Sequence, residues 1–191
     1  MKKLIFGTVI GMFCTLNYIS AQSQVLYSGF PEKFDTELIK ESYEDGEVKL
    51  NTGMWRLKGV KLLTRRKGME IDDDGTKGLL FVSNNKGAMV AEMKFDLEEG
   101  ISKVSVQSFS FGTDAPCKWR LQMSTDRGST WKWVGKEVVV DNKIPREEEV
   151  KINANGPIRV RVLKLGLGNP KEDSSIQNGR LVIDNIAIYK K

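Results

Sequence analysis

Short runs of alternating apolar and polar residues recur along this chain, with turn residues between them. Trp119 to Ser124 (WRLQMS) alternates, as do Trp131 to Val134 (WKWV) and Ile158 to Leu163 (IRVRVL). Alternation puts every second side chain on one face, as in a strand with one buried side. Leu79 to Ser83, Ala88 to Phe95 and Leu181 to Tyr189 are further runs of strand type. Val104 to Phe111 alternates once a one-residue slip is allowed, which predicts a bulge near Ser108. Asn84 to Gly87, Glu98 to Gly100, Asn153 to Pro157 and Gln177 to Gly179 supply the turns. Strands about every ten residues, punctuated in this way, predict an all-β sandwich or barrel. Pro31 to Tyr43 is the only helix candidate, and residues 166 to 179 read as a long loop at one end of the sandwich.

The chain of 191 residues opens on MKKLIFGTVIGMFCTLNYISAQ. Lys2 and Lys3, a short apolar run and the small residues before Gln22 make residues 1–21 a signal peptide, with cleavage expected after Ala21. A lipoprotein anchor at Cys14 is the alternative, but Phe13 stands where a small residue is needed. Residues 22–191 suit one domain with a sizeable core, and they contain no second apolar run of membrane-spanning length. The formal charge is +5, and two of the cations fall in the leader. The small remaining surplus does not argue for nucleic acid.

The sequence contains no histidine. That excludes Ser-His-Asp and Cys-His catalysis and His-ligated zinc. Cys117 is the single cysteine after the leader, so neither an internal disulfide nor a thiolate cluster can form. A metal would have to be a hard cation held by oxygens.

Ser124 to Trp131 reads STDRGSTW. It resembles the Asp-box, the repeated turn motif of sialidases. Asp126 is placed to accept backbone N–H groups, Gly128 to take a positive φ, and Trp131 to fold over the turn after Ser124. A sialidase would need several boxes on a propeller whose blades each take about 40 to 50 residues. One box on a chain of this length is a structural hairpin staple.

Other candidate chemistry is sparse. Glu70-Ile71-Asp72-Asp73-Asp74 begins like the E-I-D-x-x-E signature of jelly-roll glucanases, but Gly75 stands where the closing glutamate should be. A retaining hydrolase needs both carboxylates, so the enzyme reading falls. Asp72 and Asp74 are candidate calcium ligands without the alternate spacing of a calcium loop. Arg65 and Arg66 form a basic spot able to meet an acidic glycan or head group. Trp55, Trp119, Trp131 and Trp133 are the tryptophans. Aromatic rings commonly stack on sugars, which makes Trp133, Trp131 and Trp55 ligand candidates. Trp55 and Trp119 also suit the core, whereas Trp131 and Trp133, two apart, share a sheet face.

The order of parts adds to this. Phe30-Pro31-Glu32-Lys33-Phe34-Asp35 comes first, then Gly53 to Val60 (GMWRLKGV) and Gly75 to Leu79 (GTKGL). Phe111-Gly112-Thr113-Asp114, STDRGSTW and a closing Arg180 to Ile188 (RLVIDNIAI) follow. This order resembles choice-of-anchor J type modules of secreted Gram-negative bacterial proteins, which are similar to MAM and galactose-binding-like domains. The resemblance implies a jelly-roll β-sandwich of two antiparallel sheets, and adhesion or glycan binding rather than catalysis. It also implies chain ends side by side, where Asp35 and Asp184 would clamp a structural calcium. The expectation is therefore an exported, non-catalytic binding module for a carbohydrate or cell-surface glycan, in the periplasm or the medium. An adhesin-like protein with a cell-surface protein partner comes second, and a hydrolase or lyase last.

Overall fold

The computed structural model describes residues 24–36, 38, 40–64, 77–141, 143–167, 173, 175 and 177–191. Among them are eleven strands: β1 (Gly46–Lys49), β2 (Met54–Lys58), β3 (Val60–Thr64), β4 (Lys77–Phe81), β5 (Met89–Met93), β6 (Ile101–Ser110), β7 (Cys117–Ser124), β8 (Lys132–Val140), β9 (Arg146–Ala154), β10 (Arg159–Lys164) and β11 (Leu181–Lys190). They form a six-stranded sheet in the order β1-β2-β5-β10-β7-β8 and a five-stranded sheet in the order β3-β4-β11-β6-β9. Neighbours are antiparallel throughout, and the two sheets make a jelly-roll β-sandwich. Among the described residues no helix is long and apolar enough to cross a membrane.

The core is the inner face of each sheet. Trp55, Leu57, Ala91, Met93, Trp119, Leu121, Val160 and Val162 come from the six-stranded sheet, and they meet Leu62, Phe81, Val104, Val106, Ile186 and Ile188 from the other. Spacing by twos along each strand puts these side chains on one side.

Two local expectations are corrected. Residues 31–43 form no helix where they are described. Glu32 pairs with Ile186, Phe34 takes a φ of 62°, and Lys40 pairs with Leu62. These two bridges hold the described parts of the segment against the five-stranded sheet. The expected bulge on β6 falls instead on its partner. Ser108 pairs with Ile183 and Val106 with Ile186, so the extra residue belongs to β11. Phe109 points to the opposite face from Ser108 and packs with Leu80 and Val182 in a second small cluster, flanked by Tyr43 and Phe111. The apparent slip is a strand apolar on both faces at one end.

The chain ends do lie side by side. Leu26 bridges to Tyr189 and Glu32 to Ile186, both antiparallel.

Candidate functional site

Register draws one row of side chains across the outward face of the six-stranded sheet. Glu47 faces Arg56, Arg56 faces Glu92, Glu92 faces Arg161, Arg161 faces Gln122, and Gln122 faces Trp133. Their neighbours along each strand point into the core, so the row points out. Opposite charges directly across antiparallel strands attract. Arg161 donates from Nη1 to Glu92 Oε2 at 3.3 Å and from Nε to Gln122 Oε1 at 2.7 Å. The ring of Trp131 covers this arginine, with 4.1 Å from Cζ to the ring centroid. Under that cover Glu92 and Gln122 are only 4% and 7% exposed although they sit on an outer face. Arg159 is held in the same way by Asp96 at 2.7 Å.

The hairpin that carries Trp131 is self-contained. Ser124 Oγ accepts Gly128 N–H at 2.8 Å and donates to Asp126 Oδ1 at 2.6 Å. Asp126 accepts Thr130 N–H at 2.8 Å and Thr130 Oγ1–H at 2.6 Å. These bonds, from Ser124 first and then Thr130, pull the Asp126 carboxyl down to about 2. Arg127 and Gly128 take φ of 60° and 87°, and Ser129 N–H bonds Asp126 O at 3.2 Å. Two positive φ values in a tight hairpin turn match the right-handed twist of the strands. Trp131 Nε1–H then reaches Gly128 O at 3.0 Å.

Trp133 has no such duty. It is 46% exposed and lies at the end of the row on the edge strand. Arg120 stacks beside it, with Cζ 5.1 Å from the ring centroid. A bulge in β8 places them: Leu121 pairs with Val134 but Trp119 with Val138, so Gly135 to Glu137 stand opposite Arg120. Gly135 takes a φ of 66°, and a Cβ there would lie 2.6 Å from Val150 Cγ1. Its carbonyl accepts Arg120 Nε–H at 3.0 Å.

The other sequence candidates fall elsewhere. Trp55 is corrected from ligand candidate to core residue: it is 1% exposed, its ring meets Phe95 edge-on at 6.3 Å, and its Nε1–H bonds Thr52 Oγ1 at 2.9 Å. Arg65, Arg66, Asp72 and Asp74 lie outside the described residues. Asp184 is 2% exposed on β11, and Asp35 lies in the N-terminal segment paired beside that strand. Nearby Glu32 is fully buried; its carboxylate accepts Phe34 N–H at 3.0 Å, Thr52 N–H at 2.8 Å and Thr52 Oγ1–H at 2.6 Å. These donors satisfy it without a cation. Among the described residues no three acidic, cysteine or histidine side chains converge as a metal cage. The described carboxylates alone do not complete a calcium site.

Sequence reasoning missed Lys164. It follows Val160 and Val162 on the inward face of β10, and the lysine in that third inward place was the available signal. It is fully buried, and its Nζ donates to Asn85 and Asn178 side-chain oxygens. Burial drives its pKa down to about 8 and pushes the buried Cys117 thiol up to about 11. Arg180 and Asp114 join the same end of the sandwich through bonds of 2.6 and 2.8 Å. A depression of ≈ 270 Å³ there is lined by Ser83, Asn84, Asp114 and Gln177, with no aromatic ring among its lining residues. A second, of ≈ 200 Å³, lies on the outward face of the five-stranded sheet beside Tyr189, Gln107 and Asn185. Its polar groups are already paired, Asn185 with Gln107 at 2.9 Å and Ser105 with Glu147.

No family model and no curated protein matches the chain. Solved structures match it in fold. The K2 cleaved adhesin domain of Lys-gingipain is 13% identical, with 83% of this chain and 96% of that one covered and a TM-score of 0.55. The CBM22-1 xylan-binding domain from Paenibacillus barcinonensis Xyn10C is 11% identical, with 89% and 99% covered and a TM-score of 0.52. At these identities the likeness is one of fold, and fold does not carry function with it.

Proposed function

We propose that this protein is an exported, non-catalytic module that binds a carbohydrate or cell-surface glycan on the outward face of the six-stranded sheet. Trp133 carries the reading: it is a large ring left 46% exposed at the end of a polar row. A sugar offers a C–H face for the ring and hydroxyls for side-chain hydrogen bonds. Trp131 contributes by holding Arg161 in place. The fold shared with a xylan-binding domain supports the reading. The absence of histidine from the sequence, and of the closing glutamate at Gly75, supports a non-catalytic role.

The module is of choice-of-anchor J or MAM-like type, residues 1–21 are its signal peptide, and it works in the periplasm or the medium. A structural calcium at Asp35 and Asp184 is a separate proposal, supported by the pairing of the chain ends. Backbone carbonyls would supply its remaining ligands.

A second reading, an adhesin-like protein with a protein partner, has its own observation. Val139 and Ile144 are 55% and 76% exposed near the β8 and β9 edges, and the fold is shared with an adhesin domain.

The test is a glycan array with residues 22–191, with and without calcium, beside Trp133→Ala. Specific binding weakened by the substitution is the expected result. A blank array in both conditions removes the glycan reading, and pull-downs against envelope proteins then test the second one. Binding and melting temperature unchanged by chelator remove calcium.

A further inference from the structure

The charges on this sheet face do not cancel evenly. Carboxylates along this face already have cations: Asp45 has Arg56 at 2.6 Å, Glu92 has Arg161 at 3.3 Å and Lys94 at 3.5 Å, and Asp96 has Arg159 at 2.7 Å. Glu47 lies 3.9 Å from Lys94, and Glu137 lies 3.5 Å from Lys118. Arg120 is different from Arg56, Arg159 and Arg161. Its Nε–H goes to the Gly135 carbonyl, and its ring contact is with Trp133. Among the described residues its terminal nitrogens have no carboxylate and no hydrogen-bond acceptor. Lys132 and Lys136 are exposed on the adjoining β8 and are likewise without an ion pair among the described residues.

A guanidinium fixed at Nε and stacked on a ring presents its two terminal NH₂ groups as a preorganised fork. Such a fork fits the paired oxygens of a carboxylate or a sulfate. Stacking against the exposed Trp133 places that fork beside the surface on which a sugar ring would lie.

We propose that the ligand is an acidic glycan, whose carboxylate or sulfate ester is held by the terminal nitrogens of Arg120 while a neighbouring sugar ring stacks on Trp133. This rests on the reading of the same face as a glycan surface. Lys132 and Lys136 add long-range attraction, so binding weakens as salt rises.

Calorimetric titration tests it with two matched series. One is oligogalacturonate against its fully methyl-esterified form, and the other is a sulfated galactan oligosaccharide against its desulfated form. The wild-type protein is expected to bind at least one acidic member about tenfold or more tighter than its neutral counterpart. The series that shows this preference identifies carboxylate or sulfate. Arg120→Gln should bring the preference to within about twofold, and Arg120→Lys should fall between. Melting temperatures verify that each variant folds. Equal binding of acidic and neutral members, or a preference that survives Arg120→Gln, overturns this proposal and leaves the glycan reading standing. No binding to either series overturns it as well, and the array then decides the broader reading.

Discussion

The four tryptophans divide into two pairs on opposite faces of the same sheet. Trp55 and Trp119 are 1% and 0% exposed, and each gives its indole N–H to a neighbouring hydroxyl, Thr52 and Ser108. Trp131 and Trp133 lie on the outer face, where arginines meet their rings. Residue type is the same, but the work differs. An indole in the core contributes buried area. An indole on a polar face either shields a charge, as Trp131 does, or stays open for a partner, as Trp133 does. The face on which each ring lies, and the side chains it meets there, decide its role.

Substitutions sharpen that division. Trp119→Ala should produce the largest effect, a loss of about 3–5 kcal/mol, because it leaves a cavity and removes the indole hydrogen bond to Ser108. Urea unfolding measures it, and a loss as small as that of a surface change would break the division. Ser124→Ala comes next. It leaves the Gly128 N–H without its acceptor, at a cost of about 1–3 kcal/mol, and loosens the hairpin beneath Trp131.

The buried Lys164 predicts a pH effect. Its folded pKa of about 8 lies below the unfolded value near 10.4, so the unfolded chain binds more protons between them. Stability should be level below about pH 8 with respect to this group and rise from there towards about 10.4. Lys164→Met should flatten that rise in chemical unfolding at a series of pH values. Trp133→Ala should be the mildest change to the fold, within about 0.5 kcal/mol, because the ring is half exposed. The same change should weaken glycan binding, which separates a binding ring from a packing ring.

The interior of this fold was legible in the sequence where alternation was strict. β7, β10 and β11 follow the runs at Trp119, Ile158 and Leu181. The edge strands were harder to read. Half of β1 (GEVK) and much of β9 (REEEVKINA) are exposed, so neither carries a clear apolar stripe that reveals a strand. Pro31 to Tyr43 misled because helical spacing survives in a segment whose Glu32 and Lys40 pair with Ile186 and Leu62 instead. At the site, Trp131 and Trp133 could be placed on one face from their spacing alone. The row they complete could not be seen, because Glu92, Gln122 and Arg161 are far apart in the chain and meet only through register. Nor does the sequence distinguish Arg120 from Arg159 or Arg161. The difference is that no carboxylate among the described residues pairs with Arg120, which is a property of the folded face.

The most direct test is to watch the indoles themselves. The sequence has four tryptophans, so a ¹⁵N-labelled sample should give four indole N–H signals in a two-dimensional NMR spectrum. On titration with a bound oligosaccharide, the account predicts a large shift for Trp133, a smaller one for Trp131, and little change for Trp55 and Trp119. Unmoved Trp133 and Trp131 signals at saturating ligand would contradict the assignment of the site to this face.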